Sequence, residues 1–218
     1  MKFITCIIVP VLLIIFNVNC QTRSNQMNIP LRSGDLLFFN ATSTELSKAI
    51  DQATQTAKET HFDHVGIVEV NNDTVWVLHA APKKGVCREQ IGQVLTEYKE
   101  LHAGLTVYRL KSDYTKSVKT ALLKARSFLN QQYKYSYRLS DPGFYCSEFI
   151  YRIFASDSIF KLNPMTFKDP HTGKFLPGWI THYRKLGIPI PEGEPGCNPN
   201  GLALSEKLEN LGILTIKK

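Results

Sequence analysis

What this 218-residue chain lacks narrows its function first. It has no internal repeat, no heptad array and no low-complexity tract, which sets aside solenoids, long coiled coils and disordered scaffolds. Its formal charge of +7 never concentrates: the densest basic groups are pairs such as Lys83-Lys84 and Lys217-Lys218, with no aromatic-basic motif beside them. No nucleic-acid partner is therefore expected. The excess reads as a solvated basic surface with a mild preference for anionic surroundings. The paired ligands of common zinc sites, H-E-x-x-H or C-x-x-C, are missing as well. His61 and His64 stand as His-x-x-His in HFDH, but without a companion cysteine pair or glutamate, so neither a metal nor another cofactor is expected.

Cysteine is scarce, and its placement is informative. Two of the five, Cys6 and Cys20, fall in MKFITCIIVPVLLIIFNVNC, where one positive charge at Lys2 precedes an apolar run from Phe3 to Phe16 and then small or polar residues. That order reads as a secretory signal peptide over residues 1–20, too short in its apolar part for a membrane span. Residues 21–30 follow as a flexible lead-in. The expected location is exported, in the periplasm or cell envelope. Cys20 stands where a lipoprotein cysteine would, although Asn17-Val18-Asn19 departs from the usual lipobox. Membrane anchoring through Cys20 and simple cleavage nearby both stay open. Three cysteines remain, and an odd count in a disulfide-permissive compartment leaves a thiol to explain. Cys87 in KKGVCRE and Cys197 in EPGCNPN are able to pair, leaving Cys146 free.

With 43% hydrophobic and 21% charged residues, residues 31–218 read as one globular domain. LRSGDLLFF gives a turn and a short strand, and Thr42 with Glu45 offers a capping box before a helix to about residue 59. HFDHVGIVEV and TVWVLHA read as strands joined by a tight turn at Asn71-Asn72-Asp73, hence antiparallel neighbours. REQIGQVLTEYKE reads as a short helix, LTVYRL as a strand, and residues 114–131 as an amphipathic helix. An aromatic loop, YKYSYRLSDPGFY, leads into a helix at CSEFIYRIFAS. Seven of the eleven prolines lie between Pro164 and Pro199, marking residues 162–200 as loop-rich. A short helix near 202–210 and a terminal strand, ILTIK, complete an α+β domain with a central antiparallel sheet packed against helices.

Cys146 heads its helix just after the break at Asp141-Pro142-Gly143. A thiol there meets the positive end of the helix dipole, which favours thiolate, and the same amides suit a substrate oxyanion. Against this stands the ordinary fate of a cysteine, burial as a small hydrophobe. A nucleophile also needs a base. His64 begins an apolar strand, where a ring is costly unless it is partnered. His79, on the next strand, is about as far from the shared turn, so the two are cross-strand neighbours. One would act as base and the other would orient it; the alternative for His79 is a satisfied strand-end histidine. Tyr145 either lines the site or donates to the oxyanion. Glu148, in the first helical turn, is read as structural, and Asp63 as a turn residue. His61, His102, His171 and His182 suggest nothing specific.

The order Gly34-Asp35 before a strand, then DHVGIV, VLHA and YCSEFI, resembles the YiiX/YebB-like branch of the NlpC-type cysteine hydrolases, a circularly permuted papain-like fold. The resemblance implies Cys146 as nucleophile, His64 as base and His79 as the third, polar member, where many relatives of the branch carry glutamate. It implies hydrolysis of an amide bond through a thioester, with peptidoglycan peptides as the first substrate class. A lipid-like amide or ester, as for relatives resembling lecithin:retinol acyltransferase, is the second. A binding module that has lost its chemistry is the remaining alternative. Oligomeric state is not legible.

Overall fold

The computed structural model describes residues 27–101 and 104–215. The expected signal peptide, Cys20, most of the lead-in, His102 and the last residues of ILTIK lie outside this range.

Alternating apolar residues build a six-stranded antiparallel sheet of β1 (Leu36–Asn40), β2 (Phe62–Asn71), β3 (Thr74–Ala81), β4 (Gly85–Gln90), β5 (Leu105–Leu110) and β8 (Leu208–Ile213), in the order β4-β3-β2-β1-β5-β8. The β2–β3 hairpin turns at Asn72 and Asp73, both at positive φ, as a tight turn between twisted strands requires. Opposite β1, β2 carries a bulge at Asp63, since His64 faces Phe39 while Phe62 faces Asn40. A bulge re-aims side chains locally, and this one lies beside the residues that concern function.

The period-2 pattern sends side chains to two faces. Leu36, Phe38, Val65, Ile67 and Leu78 pack on one face against α4 (Cys146–Ile153), with α1 (Glu45–Ala53), α3 (Ser117–Ser127), α5 (Pro177–Leu186) and α6 (Pro199–Ala203) completing that layer. Leu37, Phe39, Val68, Val77 and Val107 face the other way, under α2 (Ile91–Glu100) and Met27, Ile29 and Leu31. A two-residue ladder of β6 (Asn163–Pro164) and β7 (Pro195–Gly196) ties down the proline-rich region.

Several local expectations are corrected. α1 is capped by Thr44, whose Oγ1 accepts from the Ser47 amide, and it ends at Ala53 rather than near residue 59. Residues 85–90 form a strand, so the helix expected over REQIGQVLTEYKE begins only at Ile91. The 114–131 helix is shorter, Ser117–Ser127. The region taken as loop holds α5, with Pro177 in its first turn and left-handed Gly187 closing it, the usual punctuation of a helix. The helix expected near 202–210 ends at Ala203, and Leu208–Ile213 is strand. Cys87, Cys146 and Cys197 are all free thiols, so the Cys87–Cys197 pairing is not formed.

Candidate active site

Cys146 is the first residue of α4, with extended Tyr145 as N-cap. Gly143 makes this entry: its φ is +88°, and a Cβ there would sit 2.3 Å from the Gln132 carbonyl oxygen, so only glycine fits. The head of α4 is stapled to the 195–198 loop. Ser147 Oγ donates to the Cys197 carbonyl at 3.0 Å, and the Cys197 amide donates to the Tyr145 hydroxyl at 3.2 Å. Tyr145 therefore lines the site as a buried strut with its hydroxyl turned to Cys197, not to the helix-end amides where an oxyanion would lie.

The thiol donates to the Asp63 carbonyl oxygen at 3.9 Å and is also reached by the Val65 amide. The sulfur thus rests on the β2 backbone at the two residues flanking His64. Asn200, fully buried, holds this end of the strand: its Oδ1 accepts from the Phe62 amide at 2.9 Å and its Nδ2 donates to the Phe62 carbonyl at 3.2 Å.

The histidine rings lie against Phe39 on the α2 side of the sheet. Gly66 opposes Leu78–His79 across the hairpin, and its missing side chain leaves room there: a Cβ would meet Val77 Cγ1 at 2.8 Å and His79 Cβ at 3.1 Å. His64 and His79 are consequently diagonal neighbours, with Nε2 of His64 2.8 Å from Nδ1 of His79. One strand further, His79 Nε2 is 2.8 Å from Glu89 Oε2, and Lys84 Nζ donates to Glu89 Oε1 at 2.8 Å. The relay His64–His79–Glu89–Lys84 thus runs across three strands. The Glu89 carboxylate accepts from His79 Nε2–H; in the state with His79 neutral, His79 Nδ1 accepts from His64 Nε2–H and the lone pair of His64 is on Nδ1. Among the described residues no hydrogen bond joins Cys146 to His64.

Electrostatics here oppose the simple expectation from the helix dipole. Burial first, then the Asp63 charge, pushes the Cys146 thiol up to about 12, against the lowering effect of the Ser147 and Val65 amides. Burial, then His79, holds His64 well below the usual imidazole range. Both groups are neutral at rest, unlike a preformed thiolate–imidazolium pair. Bonds to His79 and Lys84 hold Glu89 at about 2, so it is ionised throughout the physiological range.

A narrow cleft with a cavity volume of about 90 Å³ opens over the thiol, lined by Tyr133, Tyr137, Tyr145, Met165, Phe167 and Trp179, with Asp63 among its polar groups. The expected aromatic loop does supply part of this wall. Burial pushes the Asp63 carboxyl up to about 6; Ser47 Oγ bonds its Oδ2, while Oδ1 has no partner among the described residues. Because that charge disfavours the thiolate, Asp63→Asn is expected to speed alkylation of Cys146 by iodoacetamide at about pH 8, by roughly three- to tenfold for a shift of half to one pKa unit. Unchanged or slower labelling contradicts this electrostatic account.

Sequence comparison decides the family. The sequence model of the permuted papain-like amidases, the YaeF/YiiX or C92 family, matches residues 30–212. The chain belongs to this C92 family. It is thereby a cysteine hydrolase of the amidase kind with the permuted papain-like fold. Among solved structures it is similar to the protein titled metalloprotein yiiX from Escherichia coli O157:H7, with TM-score 0.66 and 18% identity over 85% of this chain and 97% of that one. A search of curated proteins finds no match. In this C92 chain the Cys146 thiol rests on the α4 side of β2 against the Asp63 carbonyl, whereas the His64 and His79 rings meet each other on the α2 side. The structure thus brings the two histidines together but not the thiol and His64. His61 is exposed and bonds Asp51, His171 is exposed, and His182 bonds the Tyr135 carbonyl. Glu89 was hidden by the misread helix. Its signal was the alternation of Cys87 and Glu89 on one strand face.

Proposed function

We propose that this protein hydrolyses an amide bond in exported substrates, peptidoglycan peptides first, through a Cys146 thioester. The observation that carries the reading is the His64–His79–Glu89 relay, which leaves an unprotonated nitrogen on the histidine whose flanking backbone the Cys146 thiol touches.

In this reading the thiol turns from the Asp63 carbonyl toward His64 Nδ1 and gives up its proton as the sulfur attacks the substrate carbonyl. Amides at the start of α4 hold the oxyanion. The imidazolium formed is stabilised through His79 by the Glu89 carboxylate, then delivers its proton to the leaving amine. Water, deprotonated by His64, adds to the thioester carbonyl; the C–S bond breaks, the acid leaves, and the departing sulfur takes the proton back from His64. The export reading rests on the apolar stretch Phe3–Phe16; among the described residues no helix is long and apolar enough to cross a membrane.

The aromatic wall of Tyr133, Tyr137, Phe167 and Trp179 also suits an acyl chain, which supports a lipid-directed hydrolase or acyltransferase as the second reading. Incubation with purified muropeptides and, separately, with phospholipid vesicles distinguishes the two. The first reading expects new free amino groups from muropeptides and none from a Cys146→Ala preparation. Fatty-acid release from vesicles with intact muropeptides overturns it in favour of the second.

A further inference from the structure

Behind the histidine pair, on the side away from the cleft, three ligand atoms converge. β3 and β4 set His79 directly opposite Cys87, and Glu89 lies two residues further along the same face. His79 Nε2 is 2.8 Å and Cys87 Sγ 3.5 Å from the same oxygen, Glu89 Oε2, and all three atoms lie within 4.8 Å of one another. His79 is buried, whereas Cys87 and Glu89 are part-exposed, so the cluster is reached from solvent through the latter two.

We propose that His79, Cys87 and Glu89 form a binding site for a thiophilic divalent cation of the zinc type, and that occupancy switches the hydrolase off. One nitrogen, one sulfur and one carboxylate oxygen with a water in the fourth position is a donor set that zinc takes readily. Zn–N and Zn–O bonds of about 2.0–2.2 Å at tetrahedral angles set those donors roughly 3.3 Å apart. The 2.8 Å hydrogen bond need therefore open by only about half an ångström. Lys84 bonds the other oxygen, Oε1, and Glu97, so it orients the carboxylate without blocking Oε2. HFDH, the histidine pair that drew attention in the sequence, takes no part.

The switch follows from proton positions, and it rests on the catalytic reading; the binding itself does not. A cation on His79 Nε2 displaces the proton there. Neutral His79 then carries its proton on Nδ1 and donates it to His64 Nε2, and His64 takes up a proton on Nδ1 in place of the one displaced. The remaining proton released is that of the Cys87 thiol. His64 is left with its N–H where the base needs a lone pair, and it no longer accepts from Cys146.

The probe is Co²⁺, which reports thiolate ligation by a near-ultraviolet charge-transfer band, with Zn²⁺ for affinity by calorimetry. One equivalent is expected to bind, with the band present in the wild type and in Cys146→Ser, and binding at least tenfold weaker in Cys87→Ser. With substrate, Zn²⁺ is expected to inhibit at the concentration that fills the site, reversibly on chelation. Cys87→Ser should keep its basal rate and resist inhibition at least tenfold. No band, or a band lost in Cys146→Ser and kept in Cys87→Ser, overturns the site, the latter by placing the ion on the nucleophile. Full occupancy without inhibition overturns the switch while leaving the amidase reading intact.

Discussion

His64→Asn and Cys146→Ala are each expected to lower kcat/KM by at least about a thousandfold, with the double variant no worse than either single one. Residues that act in one proton-transfer unit give such non-additivity, because removing either disables the step to which both contribute. The pH profile carries the finer test. Since burial keeps His64 neutral well below the usual imidazole range, the rate should hold its plateau as pH falls through about 6.5 and decline only in stronger acid. An acid limb near the ordinary histidine value contradicts the buried, neutral base. Asp63, the other group beside the thiol that is able to accept a proton, is separated by its own substitution. If Asp63→Asn loses as much activity as His64→Asn, the base is the carboxylate. Retention within about tenfold is the expected result.

Lys134→Met is expected to destabilise the fold by about 3–5 kcal/mol, read as a shift in the urea midpoint. Lys134 and Glu148 are 3% and 1% exposed, and Nζ lies 2.9 Å from Oε1 and 2.8 Å from Oε2. Arg152, the other cation at Glu148, is part-exposed and 3.4 Å away, too loose to neutralise a buried carboxylate alone. The expected loss is therefore mostly the cost of the charge left behind, not the worth of the pair. It follows that Lys134→Met with Glu148→Leu should recover most of it, as apolar replacement of a buried pair commonly does. A double variant as unstable as the single one would refute that assignment. Glu148 sits two residues beyond Cys146, so the pair also holds the first turn of α4 against the aromatic loop, the structural role its sequence position implied.

The parts legible from sequence were those governed by local rules. Alternation in HFDHVGIVEV and TVWVLHA fixes which residues share a face, and Asn72-Asp73 fixes the turn, so the contact between His64 and His79 was open to inference. Glu89 was not, because CREQ runs without a break into IGQVL and helical spacing over 91–100 masks a strand over 85–90. α5 was obscured by proline count, although Pro177 and Gly187 are placed as a helix start and stop. The state of the Cys146 thiol depends on a balance between amides that lower its pKa and burial that raises it. Helix position supplies the first, but only packing supplies the second.

β4 is an edge strand of the sheet, and bare strand edges invite another chain to add on. Residues 130–131 cover its beginning, with the Val86 amide donating to the Gln131 carbonyl and the Asn130 amide to the Val86 carbonyl. Beyond them the margin is Arg88, Glu89 and Gln90, with Lys84 and Glu97 alongside. The charges that hold the His79 ring thus also make this margin a poor template for self-association, and a variant that neutralises Glu89 gives up a hydrogen bond to His79 and an edge charge at once.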